Sequence, residues 1–204
     1  MQAEIRAVAF DAFGTLIRYP VKHHPYTLLR AKGQDRAAFH RQCMISGLTA
    51  AELASANGRE EALPEFSVRL AEEERHIALY PEVFDLLDNL RQQGIRMAVC
   101  SNLACEYGRI LRRLLPEWLD LALSCEIGAA KPESVIYAAV ENLLGVPRGQ
   151  ILFVGDSKTN DAAAPAAYGF QSLWLQRPQQ DLRIVQAALS DAGNPFGKQM
   201  TGAD

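Results

Sequence analysis

The order of this sequence predicts an α/β fold: a doubly wound parallel sheet with a small α-helical insertion. Three observations carry that prediction. Short, near-continuously apolar runs recur along the chain, the pattern of strands buried on both faces of a parallel sheet. Helical stretches with readable ends lie between those runs. Residues 18–79 break the alternation and show helical patterns alone.

The elements follow in chain order. "IRAVAF" (5–10) reads as the first strand, and "MAVC" (97–100), "LALS" (121–124), "ILFVG" (151–155) and "QSLWL" (171–175) read the same way. Pro81 opens "PEVFDLLDNLRQQG", where Val83, Leu86, Leu87 and Leu90 share one helical face and Gly94 supplies the stop. "PESVIYAAVENLLG" has the same form, with Ile136, Val140, Leu143 and Leu144 on one face and Gly145 at the end. A third helix is predicted from near Lys158 to just before Gly169.

Between residues 18 and 79 no strand is expected. "YTLLRAKG", "DRAAFHRQCMISG", "TAAELASANG" and "PEFSVRLAEEERHIALY" read as three or four helices, and Thr49 with Glu52 forms a capping-box pattern. The expected division is therefore a core of residues 1–17 and 80–204 and a helical cap of residues 18–79. Open α/β sheets bind ligands at the carboxyl ends of their strands. An insertion just after the first strand is thus expected to cover the site as a lid.

Composition narrows the functional class. The chain has 204 residues, enough to bury a core without staples, and 49% of them are hydrophobic. A formal net charge of −3, with no basic stripe, argues against a nucleic-acid partner. No apolar run approaches the ~20 residues of a membrane span, and the N-terminus lacks a signal-peptide pattern. Cysteines 43, 100, 105 and 125 match no zinc or redox spacing, so reduced thiols and a cytoplasmic setting are expected. Trp118 and Trp174 are expected in a core or interface.

The chemistry is concentrated at strand ends. The first strand runs into Asp11, "MAVC" into Ser101 and Asn102, and "ILFVG" into Asp156, with Asp161 five places on. Lys131 lies between the third strand and the helix after it. Parallel strands would project all of these from one edge of the sheet. Three close carboxylates repel one another unless a cation joins them, and an all-oxygen donor set suits Mg²⁺. A carboxylate nucleophile with a metal, a lysine and hydroxyl donors is an arrangement for phosphoryl transfer. Any one of these residues alone reads as readily as a helix cap or turn residue; the ordered set does not.

In these motifs the chain resembles the haloacid dehalogenase superfamily of hydrolases. "FDAFGTL" matches its first motif, "VCSN" the second, Lys131 in "AAKPE" the third and "VGDSKTND" the fourth. The resemblance implies a Rossmann-like core, with residues 18–79 as the cap, and it implies roles. Asp11 would be the nucleophile, forming an aspartyl phosphate. Mg²⁺ would be held by Asp11, the backbone carbonyl of Phe13 and Asp156, with Asp161 supporting the metal site from behind. Lys131 would pair with Asp11 and the phosphoryl oxygens. Ser101, Asn102 and Thr15 would bind the substrate's phosphoryl group.

Position 13 departs from the pattern. Most phosphatases of this superfamily carry aspartate there, as the acid for the leaving oxygen and the base for water. Phe13 can do neither, and acid–base catalysis is worth roughly 10²–10⁴-fold. The expected function is a Mg²⁺-dependent phosphatase of a small phosphorylated molecule, impaired at that step. The aromatic in "DAFGTL" also resembles 2-haloacid dehalogenases, whose halide leaves without an acid, and Arg41 falls near the position of their halide-binding arginine. Against that alternative, the fourth motif keeps both acids of the metal-dependent phosphatases. A third reading is a non-catalytic descendant that binds a phosphorylated ligand or a protein. His23 and His24, just past the first motif, are candidates to supply the missing proton.

Overall fold

The computed structural model describes residues 3–192. The expected ends of the core, residues 1–2 and 193–204, lie outside the described residues. Five strands form one parallel sheet: β1 (Ala7–Phe10), β4 (Arg96–Ser101), β5 (Asp120–Leu123), β6 (Ile151–Gly155) and β7 (Gln171–Trp174). Their order across the sheet is β5-β4-β1-β6-β7. β1 is central, and the chain fills the sheet first on one side of it and then on the other. That reversal puts the crevice of an open α/β sheet at the carboxyl end of β1.

The apolar runs are continuous because both faces of the sheet are covered. Val8, Phe10, Val99 and Val154 point into one core with Leu86, Leu87 and Leu90 of α4 (Val83–Gln92) and Ile110 and Leu111 of α5 (Cys105–Leu114). Ala7, Ala9, Ala98 and Phe153 point the other way, against Ile136, Tyr137 and Val140 of α7 (Ser134–Leu144). Each fully buried leucine or valine contributes about 1.5–3 kcal/mol relative to exposure. The small residues on the second face let Tyr137, 1% exposed, lie close to the strands.

The segment after β1 is helical, as expected: α1 (Arg36–Ile45), α2 (Ala50–Asn57) and α3 (Leu63–His76) follow a 3₁₀ turn at Pro25–Leu29. Thr49 and Glu52 close the capping box at the start of α2. The segment does contain strands, contrary to expectation. β2 (Ile17–Arg18) and β3 (Ala78–Leu79) pair antiparallel where the segment leaves and rejoins the sheet layers. Two residues each are too short for a period-2 pattern to register. The π-helical turn at Lys158–Ala163 and α8 (Ala164–Tyr168) occupy the span of the expected third helix.

Two further helices, α6 (Ser124–Ile127) and α9 (Arg183–Ala192), complete the α-helices of the described residues. Trp118 and Trp174 are each more than a third exposed and are not core residues. The Arg91 guanidinium lies over the Trp118 ring, and the Trp174 indole donates to the Asp156 carbonyl, which accounts for both. No helix among the described residues is long and apolar enough to cross a membrane.

Candidate active site

Asp11 follows β1 directly, and its backbone N–H donates to the Val154 carbonyl at 2.8 Å, continuing the sheet by one residue. The chain then turns sharply: the N–H groups of Leu16 and Ile17 both converge on the Ala12 carbonyl. Gly14 makes this turn possible, with φ at +95° and no room for a side chain. Across the sheet, β6 ends at Gly155, where a β-carbon would meet Asp161 Cγ at 2.4 Å. Glycine at both positions lets the carboxylates of motifs one and four approach.

The acids do converge. Asp11, Asp156 and Asp161 each offer an oxygen, all within 4.8 Å of one another. Lys131 lies between two of them, with Nζ 2.7 Å from Asp11 Oδ1 and 2.6 Å from Asp161 Oδ1. Burial works against the lysine's charge, but Asp11 and Asp161 outweigh it and raise its pKa. Burial, and next the charge of Asp11, push Asp161 up to about 6 and raise Asp156 as well. One lysine therefore leaves the three acids under-neutralised. All three groups are hard oxygen donors, so the set fits Mg²⁺.

The other expected residues are close by. Ser101 closes β4, 2% exposed. The Asn102 side chain donates to the Lys131 carbonyl at 2.8 Å and accepts from its N–H at 2.7 Å, tying the second motif to the third. Thr15 is fully buried, and its hydroxyl donates to Asp11 Oδ2 at 3.3 Å. Asp161 Oδ2 accepts from the Ser157 N–H at 2.9 Å.

Phe13 belongs to an aromatic group beside the site. Its ring packs against Tyr19 and Tyr107, with centroids 5.4 and 5.9 Å away. The three rings line a cavity of about 250 Å³ between the strand ends and the helical segment. His24 lines the cavity and His23 does not. Arg41 is not part of the lining; it pairs on the surface with Glu133 at 3.0 Å.

Several residues here had no signal in the sequence. Glu73 of α3 is fully buried. It accepts from the N–H of His23 and His24 and from the Tyr107 hydroxyl. Nothing in "AEEERH" distinguishes this acid from its exposed neighbours. Arg177 donates to the Thr15 carbonyl and to Glu82, both at 2.8 Å, bracing the turn after Asp11 from beyond β7. His40 also lines the cavity, placed there by the fold of α1.

Comparison with known proteins bears on this site. The sequence profile of the haloacid dehalogenase-like hydrolases matches residues 5–169. Haloacetate dehalogenase H-2 of Moraxella sp. (strain B) is 29% identical over 196 residues, 85% of this chain and 87% of that one. A phosphoserine phosphatase of Thermus thermophilus is 27% identical over 128 residues, 61% of this chain and about half (51%) of that enzyme. Among solved structures, a family enzyme of Bacteroides thetaiotaomicron in its magnesium complex superposes with a TM-score of 0.68. That match covers 90% of this chain and all of the other at 16% identity, a likeness of fold alone.

Proposed function

The chain belongs to the haloacid dehalogenase-like hydrolases, and from that premise we propose that it is a Mg²⁺-dependent phosphatase of a small phosphorylated molecule. The observation that carries the reading is the convergence of Asp11, Asp156 and Asp161 around a single lysine. A dehalogenase working on an anionic haloacid without a metal would gain nothing from the extra carboxylate of Asp156. It would suffer repulsion instead.

In this reading Asp11 attacks phosphorus, the ester P–O bond breaks with its electron pair going to the leaving oxygen, and an aspartyl phosphate forms. Water then attacks phosphorus, releasing phosphate and restoring Asp11. Thr15 and Lys131 fix the Asp11 carboxylate for attack, each from a different oxygen. Lys131 also faces the phosphoryl oxygens with positive charge, and Ser101 and the Asn102 N–H complete the phosphoryl cradle. Asp11, Asp156 and the Phe13 carbonyl would hold Mg²⁺, with Asp161 oriented behind them by Lys131 and Ser157. When bound, the metal would neutralise the acids and draw charge from the transferring group. Residues 18–79 act as the cap, covering Asp11 and closing the leaving-group side of the site.

A second reading, a dehalogenase of small haloacids, has one specific observation in its favour: Phe13 presents an aromatic wall where an acid would stand. The test is a panel of phosphate esters and 2-haloacids, each with Mg²⁺ and with chelator, followed by mass spectrometry of Asp11. Phosphate release that needs Mg²⁺ and a phosphorylated Asp11 are expected. Halide release indifferent to chelator, with no phosphate release, would replace this reading with the second.

A further inference from the structure

We propose that the cavity beside Phe13 is a subsite for an uncharged leaving group about the size of one aromatic ring. The substrate would then be the phosphate monoester of a small aromatic or apolar alcohol. This inference rests on the phosphatase reading and deepens it to a substrate class.

Size sets the first limit. An engineered apolar cavity of ~150 Å³ takes up benzene, so the 250 Å³ beside Phe13 has room for one aromatic ring with a few further atoms. Position sets the second. Phe13 lies two residues from Asp11, and Asn102 is bonded to the Lys131 backbone, so a group in the cavity adjoins the reacting cluster. A leaving group attached to phosphorus there has this cavity as its container.

Charge sets the third limit. Phe13, Tyr19, Tyr26, Met44, Leu103 and Tyr107 make an apolar wall, and no lysine or arginine lines it. The tyrosine hydroxyls are already committed. Tyr26 donates to Glu106 and Tyr107 to Glu73, while Tyr19 and Tyr107 share a contact at 3.2 Å. The rings therefore offer faces and edges, with two buried carboxylates behind them, Glu106 paired with Arg109 at 2.9 Å and Glu73. All the partners of Glu73 are neutral N–H and O–H groups, so its charge is not cancelled by a cation. A carboxylate or second phosphate on the leaving group would lose its water and meet negative charge. An apolar ring loses nothing polar and finds aromatic partners. The nearest cations stand outside the lining: Lys22 lies over the Tyr19 ring at 5.5 Å, and Arg30 and Arg36 line a wider cleft beyond His24 and His40. Arg30 there already donates to the Gln34 carbonyl.

The test compares phenyl phosphate with 3-carboxyphenyl phosphate, whose leaving groups have nearly the same acidity. Mg²⁺ is present, and the pH is 8, where an ordinary histidine is neutral. Phenyl phosphate is expected to have at least a tenfold higher kcat/KM, and phenylphosphonate to bind at least tenfold more tightly than its 3-carboxy analogue by calorimetry. Equal values, or a preference for the acid, overturn the inference. Acetyl phosphate, whose acyl group is too small to fill the cavity, separates the two levels. If it is hydrolysed while the aryl pair shows no preference, the subsite alone fails. If neither it nor phenyl phosphate is hydrolysed with Mg²⁺, the phosphatase reading fails and takes the subsite with it. Met44→Arg, which puts a cation into the wall, is expected to cut the phenyl preference at least fivefold, whereas Met44→Leu retains it. The wild-type calorimetry decides the matter even if Met44→Arg does not fold.

Discussion

A β-carbon on Gly14 would lie 2.1 Å from Asp156 Oδ2. The turn after β1 and the carboxylate after β6 are thus fitted to each other at atomic contact, across two strands that neighbour one another in the sheet. Residue 14 sits at φ +95°, where any side chain also strains the backbone. Gly14→Ala is therefore expected to act twice. It should destabilise the fold by roughly 1–2 kcal/mol from the backbone alone, and it should push Asp156 out of the cluster. Calorimetric titration with Mg²⁺ is expected to show at least a tenfold weaker affinity. An unchanged affinity would mean that Asp156 does not contribute to a metal site.

Lys131 is the only side-chain cation in contact with the carboxylate cluster among the described residues. Lys131→Met leaves Asp11 and Asp161 buried and facing each other unpaired. Removing one partner of a buried ion pair typically costs about 3–5 kcal/mol. Denaturant unfolding is expected to show a loss of that order without metal. Added Mg²⁺ should recover part of it, because a cation bound only by the folded state stabilises that state. A loss that Mg²⁺ does not reduce would place the metal elsewhere. Turnover should not recover with stability, since the ammonium that the proposed mechanism sets against the phosphoryl oxygens is gone.

The raised pKa of Asp161, about 6, gives a pH dependence with a definite sign. A carboxyl whose folded pKa lies above its unfolded value binds protons better when folded. Its burial penalty is therefore fully present above about pH 6 and relieved as pH falls toward the ordinary carboxylate range. The metal-free protein should gain stability from this group between pH 7 and pH 5. Mg²⁺ competes with that proton, so its affinity should be level above pH 7 and fall by up to tenfold per unit below 6. Melting temperatures with and without Mg²⁺ at pH 5 and 7.5 check both signs. A Mg²⁺-induced shift as large at pH 5 as at pH 7.5 would rule out Asp161 as the linked group.

What the sequence revealed and what it concealed follow one physical division. β6 was readable to the residue because an unbroken apolar run, here the four side chains of Ile151 to Val154 closed by Gly155, is needed where both faces of a sheet are covered. Asp11, Lys131, Asp156 and Asp161 could be placed together because parallel strands deliver their ends to one edge. The pair β2 and β3 was invisible because two residues carry no period. α5 was missed because Gly108 and three arginines interrupt its apolar stripe, although Ile110 and Leu111 are buried. Glu73 and Arg177 depend on partners 34 to 162 residues away, which no local pattern encodes. The cavity has the same origin: Tyr19, Tyr26 and Tyr107 are unremarkable in sequence and become a wall only where the helical segment meets the strand ends.

In the proposed phosphatase mechanism Phe13 decides the kinetics. Its ring belongs to the aromatic group with Tyr19 and Tyr107 and has no proton to give. Burial, and next the Glu73 carboxylate, raise the pKa of Tyr107, so that hydroxyl holds its proton as well. Expulsion of the leaving group should then depend on the group's own acidity, with aryl and acyl phosphates reacting far faster than alkyl phosphates. Hydrolysis of the aspartyl phosphate should also be slow, so a burst followed by a slow steady state is expected. Phe13→Asp should raise alkyl phosphate turnover by one or more decades, within the ~10²–10⁴ range of acid–base catalysis. It should also cost stability, about 1–3 kcal/mol for two aromatic pairs. His24 is the competing proton source, since it lines the same cavity. Its backbone is left-handed, at φ 50°, and asparagine tolerates that conformation better than most residues. His24→Asn therefore removes the imidazole with little change to the turn. The measurement is kcat/KM across esters of graded leaving-group pKa for the wild type, Phe13→Asp and His24→Asn. A steep wild-type profile, flattened by Phe13→Asp and untouched by His24→Asn, is expected. A flat wild-type profile that steepens in His24→Asn would assign the proton to His24 and overturn the claim that the site lacks an acid.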